Sequence, residues 1–150
     1  MLEENIKLEL EKKFSYLKNQ IIIQRPRRIF VEALQDNLFE IIDCLVKDMG
    51  FLAISAITGM DEGETFGVIY HLNREGSILL NLRIHIPRNN PKLKTVTGYF
   101  LEADAYEREL VDLLGIKVEG LPPGNRYPLP DNWPEGEFPL RKDWKEQTHA

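Results

Sequence analysis

The chain has 150 residues, 43% of them hydrophobic and 29% charged, with a formal net charge of −5 at neutral pH. Such a chain is long and apolar enough to bury one real core, with room for an appended tail. Its acidic balance argues against a nucleic-acid partner held by bulk electrostatics, because such proteins carry a basic face.

Residues 2–19 are rich in Leu, Glu and Lys, which are good helix formers. Leu2, Ile6, Leu10, Phe14 and Leu17 fall three or four apart, so the segment predicts one helix with a single apolar stripe. A short apolar run, Ile21 to Ile23, leads to Pro26, and residues 28–33 with Ile29, Phe30 and Val31 predict a strand. Asp36 or Asn37 is placed to cap a second helix. In that helix Leu38, Ile41, Ile42, Leu45, Val46 and Met49 share one face, and Gly50 supplies the stop.

Three strands are expected next. Residues 51–58 are apolar almost throughout, as in a strand covered on both faces. Met60 to Glu64 reads as a turn. Phe66, Val68, Tyr70 and Leu72 then alternate with polar neighbours, and Asn73 to Gly76 turns the chain again. Ile78, Leu80, Leu82, Ile84 and Ile86 face one way, and Asn81, Arg83 and His85 the other. This pattern predicts an α+β fold, an antiparallel meander covered by helices. A polar loop over 87–94 is followed by a helix from near Leu101 to Leu114, capped by Gly115. After Gly115 the composition changes. Six of the nine prolines lie between Pro122 and Pro139, which bars a helix or a central strand. The expected division is a domain over 1–115 and an extended, Pro-rich docking tail over 116–150.

The one cysteine, Cys44, excludes an internal disulfide and suits a reducing compartment. On an apolar helix face it reads as a small buried hydrophobe. No apolar run approaches the roughly 20 residues that a bilayer requires, so no direct membrane insertion is expected. The mixed charges of the N-terminal stretch do not suit a signal peptide.

Catalytic and cofactor motifs are missing together. There is no glycine-rich phosphate loop, no nucleophile elbow and no cysteine grouping for an iron–sulfur cluster. No cofactor is expected. His71 and His85 lie on the polar sides of neighbouring strands with no further ligand at metal spacing, and read as sheet-surface residues. His149 stands next to the last residue.

Two groups stand out. Asp104, Arg108 and Asp112 are spaced by four on one helix face, flanked by Glu107 and Glu109. Taken alone this is a solvated charged face or a set of carboxylates for acid–base work, although the adjacent arginine favours ionised carboxylates. The second group is Pro139-Leu140-Arg141-Lys142-Asp143-Trp144-Lys145. With Trp133, Phe138 and Trp144 as anchors, it suits a peptide that docks in a groove of another protein.

At these groups the sequence resembles the respiratory-chain NADH dehydrogenase 30 kDa subunit family, which belongs to complex I. Tyr106-Glu107-Arg108-Glu109-Leu110-Val111-Asp112-Leu113-Leu114-Gly115-Ile116 resembles its Glu-Arg-Glu motif. Gly120, Pro122, Arg126, Leu129 to Trp133 and Pro139 to Asp143 match its downstream pattern in order and spacing. Leu121 stands where the family usually has His, and Pro123, Gly124 and Asn125 replace its Asp, Leu and Arg. The stretch from Trp133 to Asp143 also resembles the version in energy-converting nickel–iron hydrogenases.

The resemblance implies a hydrophilic subunit that binds no cofactor. It implies packing on a large catalytic subunit, beside an iron–sulfur subunit, at the cytoplasmic face of the cell membrane. The partner-binding residues it implies are Glu107, Arg108, Glu109, Asp112, Arg126, Trp133, Pro139, Leu140, Arg141, Lys142 and Asp143. Two other readings stay open: a small enzyme using the carboxylates between Glu107 and Asp112, and a binding module for an unrelated protein.

Overall fold

A computed structural model describes residues 2–75, 78–124 and 126–147. Gly76 of the expected turn, Asn125 and His149 lie outside the described residues.

Helix α1 (Leu2–Lys13) opens the chain, and β1 (Ile21–Arg25) with β2 (Arg28–Glu32) forms a hairpin. Helix α2 (Leu38–Lys47) carries the chain to the strands β3 (Ala53–Asp61), β4 (Thr65–Arg74) and β5 (Ile78–Pro87). A short β6 (Lys92–Lys94), helix α3 (Ala103–Leu114) and a short β7 (Lys117–Glu119) follow. The five long strands form one sheet in the order β1-β2-β5-β4-β3.

The alternation read in β4 and β5 sets the register. Phe66 pairs with Ile86, Val68 with Ile84, Tyr70 with Leu82 and Leu72 with Leu80, all buried on one face. Ile29 and Val31 of β2, Ile54 and Ile57 of β3, and the apolar stripes of the three helices share that core. Gly59 lets α3 sit close on β3, since a Cβ there would meet Leu110 and Leu114 at 2.6 Å or less. The opposite face carries half-buried Phe30, Ile69, His71 and Arg83.

Several expectations are corrected. The meander holds for β3-β4-β5, but β2 pairs with β5 in parallel. The connection through α2 delivers the chain to the far edge of the sheet, so β3 pairs with β4 and leaves the other side of β5 to β2. Strand β3 is an edge strand covered on one face only; Ala53, Ser55 and Thr58 are exposed. Its small outward side chains gave it a continuous apolar reading. It also runs on to Asp61, so the turn is confined to 62–64. Helix α1 ends at Lys13, where Phe14 is extended, and Leu17 reaches the core from a short 3-10 turn instead. Neither Asp36 nor Asn37 caps α2 by its side chain, because a 3-10 turn over Gln35–Asn37 runs straight into the helix.

The loop expected over 87–94 contains β6, which pairs in parallel with β7. Ile116 is buried in the core and Val118 packs against it, so packed structure continues past residue 115. Cys44 is buried, as read from the sequence.

Candidate functional site

The site is the junction of α3, the β3–β4 turn and residues 121–147. Its physical origin is the end of a helix. The last carbonyls of α3 have no partner within the helix. Gly115 takes the left-handed conformation that ends it (φ +72°). Any Cβ at Gly115 would also meet Phe138 at 2.6 Å and Arg141 Nη2 at 2.7 Å. Glycine therefore turns the chain and makes room for the returning segment.

That segment satisfies the helix end. The Leu140 amide donates to Leu113 O at 3.0 Å, and Arg141 Nε donates to Leu114 O at 2.7 Å. A guanidinium at a helix C-terminus is favoured by the local dipole. Its Cζ lies over the Phe66 ring (5.3 Å to the centroid) and the Phe138 ring (4.6 Å). Burial lowers the Arg141 pKa from its usual value, with nearby Arg88 acting the same way. Arg141 thus points inward.

Asp61 fixes the next residues. Its buried carboxylate accepts Arg88 Nη1 at 2.6 Å, the Gly63 amide at 2.9 Å and the Lys142 amide at 2.8 Å. The Arg88 hydrogen bond, helped by those two amides, holds Asp61 well below the usual carboxylate range despite its burial. Arg88 also lies over Phe66 and pairs with Asp143 at 3.1 Å. The side chains of Leu140, Lys142 and Asp143 remain exposed.

The helix motif splits into three roles. Glu107 is 2% exposed and faces inward. It accepts the Val96 amide and the Thr95 hydroxyl, both at 2.6 Å. Burial raises its pKa, against the pull of those two bonds. Arg108 grips Asp104 with two nitrogens (2.6 and 3.1 Å) and donates from Nη2 to Pro122 O at 2.6 Å, so it holds the start of the tail. Asp112, also buried, accepts Arg126 Nε at 3.2 Å and the Leu129 amide at 3.1 Å. Arg126 reaches on to Trp133 O at 2.8 Å. Glu109 is half-buried and takes no part in this network.

Between α3 and the tail lies a cleft of about 420 Å³, lined by Arg108, Asp112, Arg126, Tyr127, Glu135 and Phe138 among others. Its two arginines and Asp112 are already engaged. Arg108 and Arg126 are bound to carboxylates, and the Asp112 oxygens are filled by donors. Farther out, Trp133 donates its indole N–H to Glu137 O at 2.9 Å, and its ring lies 5.9 Å from that of Trp144. Pro139 is half-buried between these groups.

The open sheet face holds a second polar network. Glu62 accepts Arg83, the Thr65 hydroxyl (2.9 Å) and His85 Nδ1 (2.7 Å), while His85 Nε2 faces Glu32. Gly67 leaves the space in which the Glu62 carboxylate lies. His71 bridges Thr58 (2.8 Å) and Asn81 (2.6 Å). Among the described residues no group of three or more His, Cys, Asp or Glu side chains is arranged to hold a metal ion.

Of the eleven residues that the resemblance implies, all but Glu109 and Pro139 make a hydrogen bond or ion pair that links the tail to itself or to the domain, or that braces α3. Sequence reasoning missed Asp61, Phe66 and Arg88, which receive the Pro139–Asp143 segment. The Asp61-Glu62-Gly63 turn was the available signal, since an Asp at that position folds its carboxylate onto the turn amide.

The family model described as "Respiratory-chain NADH dehydrogenase, 30 Kd subunit" matches residues 31–150. The chain belongs to this family. The match takes in α2, the strands β3 to β5, α3 and the whole returning segment, and begins inside β2. Among its relatives, a subunit of the F(420)H(2) dehydrogenase of Methanosarcina mazei is 29% identical over 136 residues, 89% of this chain and 85% of that protein. The membrane-bound hydrogenase subunit beta of Pyrococcus furiosus is 34% identical over 89 residues, 57% of this chain and 51% of that protein. A chain of the archaeal membrane-bound sulfane sulfur reductase, a respiratory membrane complex, shares the fold at a TM-score of 0.82. That match has 24% identity and covers 95% of this chain and 85% of the other. Among the described residues no helix is long and apolar enough to cross a membrane.

Proposed function

We propose that this chain is the non-catalytic assembly subunit of its complex, packing through residues 116–150 and the outer side of α3 on the large catalytic subunit. It is a subunit of a membrane-bound, complex I-like oxidoreductase. Its place in that complex is the cytoplasmic side of the membrane, beside an iron–sulfur subunit. The 1–115 domain serves as the platform, and the tail is the docking element.

The observation that carries this reading is the way the tail is held. Its backbone is tied to the domain at Asp61, Leu113 and Asp112, while Leu140 and Tyr127 stay 54% and 47% exposed. A prearranged segment loses less freedom on docking than a loose one. Exposed apolar and aromatic side chains on a fixed backbone are the usual anchors of an interface. The acid–base reading is weaker, because the Glu107 and Asp112 carboxylates are both buried and filled by internal donors.

The test is a tagged full-length chain recovered from gently solubilised native membranes, with mass spectrometry of what accompanies it. A large catalytic subunit together with an iron–sulfur subunit is the expected result. A chain recovered alone, with neither, overturns the proposal.

A further inference from the structure

Near the end of the described chain, a small cleft of about 250 Å³ opens beside the two indoles, Trp133 and Trp144. Glu137 and Glu146 line it, with Gln147, and no cation does. Asp131 and Glu135 stand exposed nearby in sequence. The arrangement is built rather than incidental. Trp133 is pinned by its N–H on Glu137 O, and Trp144 stacks against it at 5.9 Å with a 32° tilt. The Trp144 amide donates to Arg141 O, which ties the second indole to the anchored segment. The buried Trp144 Nε1 has no hydrogen-bond partner among the described residues.

Aromatic faces beside carboxylates select one chemistry. The indole is the strongest of the side-chain π-systems for a cation, and the carboxylates add direct charge attraction. The segment's own arginines cannot fill the cleft, because Arg126 is bound to Asp112 and Trp133 O and Arg141 is turned onto Leu114 O. We propose that the Trp133–Trp144 cleft receives an arginine or lysine side chain of the partner subunit. This inference rests on the assembly reading above and adds the chemistry of the residue that docks there.

These two tryptophans are the chain's only ones, so emission excited selectively from tryptophan, beyond the absorption of the five tyrosines, reports on this cleft. The full-length chain is titrated with the blocked tripeptide Gly-Arg-Gly and with its norleucine counterpart. A saturable change with the arginine peptide, absent with norleucine and at least fivefold weaker in the Glu137→Gln, Glu146→Gln double variant, is expected. Both substitutions keep the shape of the side chain and the Glu137 carbonyl, so the cleft stays folded. A flat titration, or an equal response in the double variant, overturns the inference. A stronger response to phosphatidylcholine vesicles overturns it in favour of a lipid headgroup. Recovery of the assembled complex together with a flat titration removes this inference and leaves the assembly reading standing. A positive titration with the chain recovered alone from membranes overturns the assembly reading and, with it, the assignment of the bound cation to a partner subunit.

Discussion

The Lys142 amide donates to the Asp61 carboxylate across 81 positions of sequence, at 2.8 Å. One buried carboxylate thus joins the β3–β4 turn, Arg88 at the end of β5 and the returning tail. Asp61→Asn removes the charge that Arg88 answers and turns an amide donor toward other donors. A loss of about 2–4 kcal/mol is expected, the range for breaking a buried, hydrogen-bonded ion pair. Both tryptophans lie in the tail, so their emission should shift at lower urea than the loss of far-ultraviolet circular dichroism. Coincident transitions at the wild-type midpoint would show that Asp61 does not hold the tail. The same carboxylate has its pKa lowered in the fold, so its contribution is present above the ordinary value of 3.8 and disappears as pH falls below it.

Arg141 and Lys142 are neighbours with opposite assignments. The sequence placed both in a partner contact. The fold turns Arg141 onto Leu114 O and two aromatic rings, and leaves the Lys142 side chain exposed. Arg141→Ala should lower the stability of the isolated chain by about 1–2 kcal/mol, through a lost charged hydrogen bond and ring contacts. Lys142→Ala should leave the thermal midpoint unchanged and weaken only recovery of the complex. If the two variants melt alike, the inward assignment of Arg141 is wrong.

Periodicity and local chemistry account for how much of this was readable. The faces of β4, β5 and α2 follow from apolar residues at spacings of two or of three and four, which any core enforces. Gly115 was legible as a helix stop because few other residues take its conformation. The parallel β2–β5 pairing was not legible. Nothing in Ile29 or Val31 tells which edge of β5 they will meet, since that depends on where α2 delivers the chain. The site behaved the same way. Its residue types were visible at Glu107–Asp112 and Pro139–Asp143, but their orientations depend on Asp61, Phe66 and Arg88, brought in by sheet topology. Glu107 shows the limit most clearly: the run Glu-Arg-Glu carries three charges on successive positions, and a helix sends only the first of them into the core.

His85 makes stability depend on pH near neutrality. Its ring nitrogens face Glu32 and Glu62, and the hydrogen bond to Glu32, reinforced by Glu62, raises its pKa above the ordinary 6.5. Thr65 and Arg83 also contact Glu62, so the pair is not isolated. A raised folded pKa means that the stabilisation is complete below 6.5 and fades as pH rises through the folded value. The thermal midpoint of the wild type should therefore fall as pH rises above 6.5, while His85→Gln should be flatter over the same range. Because the ring is partly exposed, the effect should shrink with added salt. Parallel curves for the two proteins would remove His85 as the cause.

Glu107 decides between a structural carboxylate and a catalytic one. Its raised pKa comes first from burial, so the charged form at neutral pH carries a cost that the Thr95 and Val96 donors only partly offset. Glutamine keeps an oxygen for the Val96 amide and can accept or donate at the Thr95 hydroxyl without that charge. Glu107→Gln should therefore change stability by less than about 1 kcal/mol, whereas Glu107→Ala strands the buried Val96 N–H and should cost about 1–3 kcal/mol. A catalytic acid or base behaves in the opposite way, since glutamine abolishes proton transfer as completely as alanine does. Chemical denaturation of the two variants, run beside activity of the assembled complex, separates the cases. Full activity with glutamine and a destabilised alanine variant places Glu107 in the scaffold that carries the tail. Activity lost equally in both, at unchanged stability, returns the carboxylate to the reaction.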